Sequence, residues 1–265
     1  MEAQIFDLWN EVPGYNGGHK PTLEFYKAEN KKSNGAVIIF PGGGYAMRAL
    51  HEGKGYAEYL TAQGIDCFVL QYRVSPDRFP YPLLDARRAV RFVRANAERF
   101  GIDPNKVAVM GSSAGGHLAA FVSTYLKNID GEGVDEIDKI DFRPNAQILC
   151  YPVIDMDGHR GSFLNLLGDN AAEICNDYTP SVICDDKTPP VFLWHTSLDP
   201  AVNVINSYKY AIRLRELNVP VEMHIFPFGA HGLGTGKVEH RGLEPHITVW
   251  TELLRRWLEL FGFFG

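Results

Sequence analysis

The segment Gly111-Ser112-Ser113-Ala114-Gly115 places a serine at the centre of a G-x-S-x-G pattern. The apolar run before it (106–110) predicts a buried strand, and the run after it (114–126) predicts a helix. A serine on such a sharp strand-to-helix turn is strained and exposed, and small neighbours let the two elements approach. The pattern predicts Ser113 as a nucleophile. Ser112 is a rival by residue type only, because it does not hold the central position.

Two later loops offer the other groups that an activated serine needs. Asp199 follows the apolar run 191–195, and His231 follows the run 221–226. Parallel strands bring their carboxyl ends to one edge of a sheet, so we expect both side chains beside the serine. His231 would accept the proton of Ser113, and Asp199 would fix the imidazole tautomer and stabilise the imidazolium.

Residue type alone does not settle these assignments. Asp185 and Asp186 are rival acids, although they precede the strand that Asp199 follows. His231 could also be an ordinary surface-loop histidine, since the chain has nine histidines. His117, on the helix after Ser113, is interpreted as a packed or hydrogen-bonding residue, and His195, at a strand end, as a residue that supports the site.

The glycine-rich loop Pro41-Gly42-Gly43-Gly44-Tyr45 also follows a predicted strand. A tetrahedral acyl intermediate needs backbone N–H donors aimed at its oxyanion, and glycines let the backbone come close. We expect the donors to be the N–H groups of Gly43, Gly44 and Ala114. The alternative is a plain turn. Tyr45 either lines the substrate pocket or packs in the interior.

Neither a metal nor a cofactor is predicted. His51-Glu52 lacks the second histidine of H-E-x-x-H, and no other cluster has the spacing of metal ligands. The run GLGTGK at 232–237 is one residue too short for a phosphate-binding loop and lacks its Ser or Thr.

The elements that must position these residues alternate along the chain. Several apolar runs show no period-2 alternation, which is typical of strands buried on both faces of a parallel sheet. The predicted strands are 23–28, 36–40, 65–71, 106–110, 146–151, 191–195 and 221–226. The predicted helices are 55–63, 82–100, 114–126, 202–217 and 245–260. This alternation predicts an α/β fold with a mostly parallel central sheet flanked by helices.

Two features of this scheme are more specific. In the second helix, Asp85 is expected to lie in the first turn, where a negative charge suits the helix dipole.

Segment 155–190 is longer than one ordinary helix and rich in Gly, Asp, Asn and Pro, so it predicts a small cap insertion or pocket wall. Residues 1–265 are otherwise interpreted as a single domain.

Composition excludes several classes of partner. Of the 265 residues, 45 % are hydrophobic and 22 % charged, which indicates an ordered globular chain. The net charge of −6 argues against nucleic acid and against an anionic membrane surface. The N-terminal residues do not resemble a signal peptide, so the chain as given is expected to be cytoplasmic, unless a signal was removed before it. The sequence does not decide whether the chain forms a homo-oligomer.

Four cysteines lie outside any C-x-x-C pair. Cys67 and Cys150 sit in apolar runs and are expected to be buried thiols. Cys175 and Cys184 could form a disulfide, although a cytosolic location argues for reduced thiols; the sequence leaves this open.

The chain resembles the carbohydrate acetyl esterases described as xylan esterases, within the esterase and lipase branch of the α/β hydrolases. The resemblance runs from about residue 20 to the last helix and rests on the order and spacing of its motifs. These are PGGGY, LHEG, LQYRVSP, YPLLDARRAVRFVR, GIDPNKVAVMGSSAGGHLAA, YPV, SLDPAV and GAHGLG. It implies an α/β-hydrolase fold and matches Ser113, Asp199 and His231 to the triad, and Gly43, Gly44 and Ala114 to the oxyanion loop.

Some positions depart from the wider pattern. Pro41 stands where many relatives open HGGG with His, which favours the acetyl-esterase-like subgroup. The acid loop reads S-L-D-P where many members carry two acids, and Asp199 still matches the pattern. Glu52, Tyr72 and Arg73 match the pattern and are interpreted as framework.

The expected activity is therefore a serine esterase that removes small acyl groups, notably acetyl, from sugars or other small esters without a cofactor. Two alternatives remain at this stage. One is a prolyl-type peptidase or amidase on the same fold, which would usually carry a large extra domain. The other is a non-catalytic binding protein on this fold, which would usually lack a triad residue.

Overall fold

The centre of the computed structural model is an eight-stranded sheet; residues 2–238, 242–243 and 245–264 are described. Its strand order is β1-β2-β4-β3-β5-β6-β7-β8. Their bounds are β1 Gln4–Asp7, β2 Thr22–Tyr26, β3 Ala36–Phe40, β4 Asp66–Gln71, β5 Val107–Ser112, β6 Ala146–Cys150, β7 Val191–Thr196 and β8 Val221–Phe226. Strands β9 (Lys237–Val238) and β10 (Gly242–Leu243) form a separate antiparallel pair.

The sheet confirms the predicted mostly parallel arrangement. All pairs from β4 through β8 are parallel, whereas β2 is antiparallel to both β1 and β4. The central strands β3, β5, β6 and β7 are buried at every position, as their continuous apolar runs require. The prediction missed β1, a short and mainly exposed edge strand without an apolar pattern.

Helices cover both faces of the sheet. Their bounds are α1 Leu50–Gln63, α2 Tyr81–Ala95, α3 Ala97–Phe100, α4 Ala114–Thr124, α5 Arg160–Leu167, α6 Ala171–Ile174, α7 Pro180–Ile183, α8 Ile205–Glu216 and α9 Pro245–Leu260. One apolar cluster joins the sheet to α2, α4 and α8, and a second joins its other face to α1 and α9. This layering is that of an α/β-hydrolase fold and confirms the expected fold class.

Several helix boundaries differ from the prediction for local reasons. Helix α1 begins at Leu50, five residues early, because Gly53 and Gly55 weaken the helical pattern without ending the helix. The predicted helix 82–100 is divided at Asn96, whose side-chain amide donates to the Phe92 carbonyl at 2.9 Å. Helix α9 has the predicted bounds.

The expectation that Asp85 serves the dipole of its helix was wrong. Helix α2 begins at Tyr81 with no acidic residue in its first turn. Asp85 is fully buried, and its carboxylate accepts hydrogen bonds from Arg73 Nε at 3.0 Å, Arg73 Nη2 at 2.7 Å and Trp9 Nε1 at 3.3 Å. Its negative charge therefore compensates a buried guanidinium rather than the helix dipole.

The segment predicted as an insertion leaves the sheet after β6 and contains the short helices α5, α6 and α7. It reaches the loop after β3, where the Asn165 side-chain amide donates to the Gly44 carbonyl at 2.8 Å. It also contacts α4, since His117 Nε2 lies 2.9 Å from the Tyr178 carbonyl oxygen. Residues 155–190 thus lie beside the loops that follow β3 and β5.

Two further features of the structure are the state of the cysteines and the length of the helices. All four cysteines are free, with Cys67, Cys150 and Cys184 buried, so no bridge joins Cys175 to Cys184. Within the described residues, no helix combines the length and the hydrophobicity that crossing a bilayer requires.

Candidate active site

Ser113 occupies a tight turn between β5 and α4. Its backbone has φ 52° and ψ −120°, a left-handed conformation that is strained for a residue with a side chain. A Cβ on Gly111 would clash with the Gly115 carbonyl, and a Cβ on Gly115 would clash with the Phe40 carbonyl. Glycine at both positions therefore lets strand and helix close around the turn, as the sequence pattern predicted.

The structure brings Ser113, His231 and Asp199 into one hydrogen-bonded series. His231 Nε2 lies 2.9 Å from Ser113 Oγ, and His231 Nδ1 lies 2.7 Å from Asp199 Oδ2. An ionised carboxylate only accepts, so Nδ1 carries the proton and donates it, and Nε2 is free to accept from the serine hydroxyl. Such a series is the arrangement with which serine hydrolases activate an alcohol.

In the described part of the chain, four donors hold the carboxylate of Asp199, whose side chain has no exposed surface. Oδ1 accepts the N–H groups of Ala201 at 2.8 Å and Val202 at 2.9 Å. Burial raises the pKa of Asp199, but the hydrogen bonds from His195, His231 and Val202 outweigh it and hold this pKa far below its usual range. Asp199 is therefore an anion at neutral pH.

His195 supports Asp199 from the side away from Ser113. Its ring is fully buried, with Nε2 3.3 Å from Asp199 Oδ2 and 3.1 Å from the Val202 carbonyl oxygen. Both of these neighbours only accept, so Nε2 is the protonated nitrogen. Nδ1 then accepts from the Ser207 hydroxyl at 2.8 Å. The contact agrees with the sequence interpretation of His195 as a supporting residue.

The rival residues lie elsewhere. Ser112 is fully buried, and its hydroxyl is hydrogen-bonded to Tyr56 at 2.7 Å. Asp185 pairs with Arg143 and accepts from the Thr188 hydroxyl. Among the hydrogen bonds of the described residues, neither Asp185 nor Asp186 contacts His231.

The loop after β3 presents backbone donors next to Ser113. The Gly42 N–H is already bound by Glu52 Oε2 at 2.9 Å, and the Pro41 carbonyl accepts from Tyr72 at 2.5 Å. Gly43 (φ 129°) and Gly44 (φ 64°) then turn the backbone. In the part of the chain that the structure describes, the N–H groups of Gly43, Gly44 and Ala114 have no hydrogen-bond acceptor. The last of these belongs to the first residue of α4, at the positive end of that helix.

A buried polar network that the sequence did not predict links this loop to the His231 loop. Tyr151 donates to Glu52 Oε1 at 2.7 Å and accepts the Gly234 N–H at 2.9 Å. Tyr151 also contacts Tyr56 at 3.1 Å, and its ring packs edge-on against His231 with the centroids 5.0 Å apart. Glu52 and Tyr151 lie 99 positions apart, so only the folded sheet reveals the pair.

The geometry supports the packing role for Tyr45. Its side chain is 1 % exposed, and its hydroxyl lies 2.8 Å from His117 Nδ1. His117 Nε2 must donate to the Tyr178 carbonyl, so Nδ1 accepts from Tyr45. Burial lowers the pKa of His117 to about 4. This pair anchors the glycine-rich loop to α4 and to segment 155–190, in keeping with the interpretation of His117.

One known sequence family matches the part of the chain that holds most of this site. The sequence model of the BD-FAE family covers residues 23–214. This range includes Ser113 and the loops that carry Gly44 and Asp199. The chain belongs to the BD-FAE family. His231 lies beyond the matched range, although the structure joins it to the other two residues.

Relatives of this BD-FAE chain include a xylanase and an acetylxylan esterase. It is 36 % identical over 223 residues to endo-1,4-beta-xylanase B of Butyrivibrio fibrisolvens, covering 82 % of this chain and 35 % of that protein. It is 34 % identical over 213 residues to the acetylxylan esterase of Xylanibacter ruminicola, covering 77 % of this chain and 42 % of that protein. The chain thus spans less than half the length of these two relatives.

A solved structure matches the chain over its whole length. It is the acetyl ester-xyloside bifunctional hydrolase from Caldicellulosiruptor lactoaceticus, with 40 % sequence identity and a TM-score of 0.91. The match covers 100 % of this chain and 98 % of that one. The resemblance to xylan esterases and the α/β-hydrolase fold are both confirmed by these comparisons.

Proposed function

We propose that this chain is a serine carboxylic-ester hydrolase that removes small acyl groups, acetyl first of all, from sugars such as acetylated xylo-oligosaccharides. The observation that carries the proposal is the series Ser113 Oγ, His231 and Asp199, with contacts of 2.9 Å and 2.7 Å. The acetylxylan esterase and the acetyl ester-xyloside hydrolase among its relatives support acetyl as the acyl group and a sugar as the alcohol.

In the first half of the proposed reaction, Ser113 Oγ attacks the ester carbonyl carbon while its proton passes to His231 Nε2. The carbonyl oxygen becomes an oxyanion, which the N–H groups of Gly43, Gly44 and Ala114 would stabilise. Collapse of this intermediate breaks the bond to the sugar oxygen, and the proton on His231 goes to that oxygen. The products are a free sugar hydroxyl and an acyl group on Ser113.

In the second half, water replaces the sugar. His231 Nε2 takes a proton from the water as it attacks the acyl carbon, and the same proton returns to Ser113 Oγ when the acid leaves. Asp199 stays ionised throughout and stabilises the imidazolium that forms twice per turnover. No cofactor enters this sequence of steps.

The surroundings complete the proposal. We assign segment 155–190 as a wall of the substrate pocket, since it contacts the loop that holds Gly44. We treat residues 1–265 as a single domain and predict a cytoplasmic location. The proposed chemistry does not depend on whether the chain forms a homo-oligomer.

The test is hydrolysis of p-nitrophenyl esters from acetate to octanoate, together with acetate release from acetylated xylo-oligosaccharides. We expect acetate to be the fastest ester and Ser113→Ala to lose about 10⁶-fold in kcat, because the nucleophile is gone. Ser112→Ala is the matched control and should keep the wild-type rate. Peptide p-nitroanilides test the amidase alternative: cleavage of these in preference to the esters would contradict the proposal.

A further inference from the structure

His159 lies between the loop that carries Asp199 and the loop that carries Gly44. The carbonyl of the neighbouring Gly158 accepts the N–H of Asn203 at 3.2 Å, which ties this stretch to the acid loop. Three residues further on, Ser162 Oγ lies 4.0 Å from the point that a Cβ on Gly44 would occupy. The stretch 158–162, which contains His159, therefore lies between the two loops that flank Ser113.

His159 is the N-cap of α5, and its capping hydrogen bond fixes its tautomer. Nδ1 accepts the backbone N–H of Ser162 at 3.1 Å and lies 2.9 Å from the Ser162 hydroxyl. An acceptor nitrogen cannot carry the proton of a neutral imidazole, so that proton is on Nε2. Within the described residues, Nε2 has no hydrogen-bond partner, and the ring is only partly buried. The Nε2–H group is therefore a hydrogen-bond donor in a fixed position and has no acceptor among the described residues.

The hydrogen bond between Gly158 and Asn203 places His159 on the side of Ser113 where the acid loop with Asp199 lies. Burial lowers the pKa of His159, the charge of His231 lowers it further, and Asp199 raises it. With its pKa lowered, the His159 ring is neutral at neutral pH. Because His231 protonates the leaving alcohol and is hydrogen-bonded to Asp199, a donor on the Asp199 side of Ser113 faces the alcohol half of the ester rather than the acyl half.

We infer that His159 is a specificity-determining residue, whose Nε2–H donates a hydrogen bond to a free hydroxyl next to the esterified carbon of a sugar. This inference rests on the proposed function and deepens it to a substrate class: partially acylated polyols that keep a neighbouring hydroxyl. A site that hydrogen-bonds a substrate hydroxyl discriminates against the analogue that lacks it.

Two substitutions separate the donor from the cap. In His159→Asn the side-chain oxygen can replace Nδ1 as acceptor of the Ser162 N–H, while the distant donor is lost. In His159→Gln the amide reaches towards the position of Nε2 and can donate there. The substrates are trans-2-acetoxycyclohexanol and cyclohexyl acetate, which share the acyl group and the ring and differ by one neighbouring hydroxyl.

We expect the wild type to prefer the hydroxylated ester, and His159→Asn to lose about tenfold in kcat/KM on that ester alone, about the effect of one hydrogen bond. His159→Gln should keep most of the preference. Equal losses on both esters, or no loss on either, would overturn the inference. Failure of the proposed function looks different, because the wild type would then hydrolyse neither ester and no acetate would come from acetylated xylo-oligosaccharides.

Discussion

Two buried aspartates in this fold are held in opposite ways. Asp85, at the centre of the framework, faces the Arg73 guanidinium, which binds both carboxylate oxygens at 2.7 Å and 3.0 Å. Asp199, beside Ser113, has no guanidinium among its partners within the described residues. Its donors there are two histidine rings and two backbone N–H groups, none of which carries a permanent charge.

The difference separates a structural anion from one that can take part in catalysis. The charge of Asp85 is compensated where it stands, so it can do nothing more than hold Arg73 and the chain around it. Neutral donors stabilise Asp199 without cancelling its charge. That charge remains available to stabilise a proton on His231, which is what the proposed mechanism needs.

Asp199→Asn breaks the catalytic side of the comparison and should have the largest effect. The amide keeps the shape of the side chain but presents a donor where His231 needs an acceptor. We expect kcat for p-nitrophenyl acetate to fall about 10⁴-fold, the order of magnitude seen for such a change in other serine hydrolases. Circular dichroism should show a native fold. A loss below tenfold would contradict the role given to Asp199.

Asp85→Asn breaks the structural side. It leaves the buried Arg73 guanidinium without its counter-charge, so we expect the free energy of unfolding to fall by about 3–5 kcal/mol in urea titrations. The kcat of the remaining folded enzyme should stay close to the wild-type value. A strong fall in kcat with unchanged stability would reverse the assignment of the two aspartates.

His117 sharpens the comparison, because it is a buried histidine whose two hydrogen-bond partners carry no charge. Its pKa in the folded chain is lowered from 6.5 to about 4 by burial, so the unfolded chain binds a proton first as the pH falls. Its contribution to stability is present above pH 6.5 and is lost between pH 6.5 and 4, by up to about 3 kcal/mol.

Urea titrations at several pH values measure this loss. We expect the free energy of unfolding to fall more steeply in this window for the wild type than for His117→Gln, which cannot titrate. Parallel pH profiles for the two proteins would show that His117 is not the group responsible.

His195 carries the smallest expected effect. Replacement by Leu removes one donor from Asp199 Oδ2 and should lower kcat about tenfold, the rate equivalent of about 1.4 kcal/mol. His195→Gln can still donate and should restore most of the rate. Because a general loss of packing would affect both variants, equal kcat values for Leu and Gln would argue against a positioning role.

The sequence predicted those parts of the molecule in which local pattern and chemistry coincide. Ser113, Asp199 and His231 each follow a strand that its apolar run predicts, and the parallel sheet brings the ends of these strands to one edge. Strand β1 was not predicted, because an exposed edge strand needs no apolar pattern.

The remaining features of the site depend on contacts between distant segments. Glu52 lies on a helix, where an acid usually faces solvent, and Tyr151 follows a core strand, where an aromatic residue usually only packs. Only the fold brings their side chains within 2.7 Å. His159 lies in a segment of varied composition, which does not single it out. Its tautomer follows only from its place at the N-terminus of α5, where Nδ1 accepts the Ser162 N–H.

The measurement that tests the central claim most directly is mass spectrometry after reaction with a p-nitrophenyl phosphonate. The reagent forms a stable bond to an activated serine, and peptide mapping identifies the labelled residue. We predict one adduct per chain, on Ser113, with none on Ser113→Ala and normal labelling of Ser112→Ala. An adduct on Ser112, or a wild-type chain that the reagent leaves unmodified, would contradict the account.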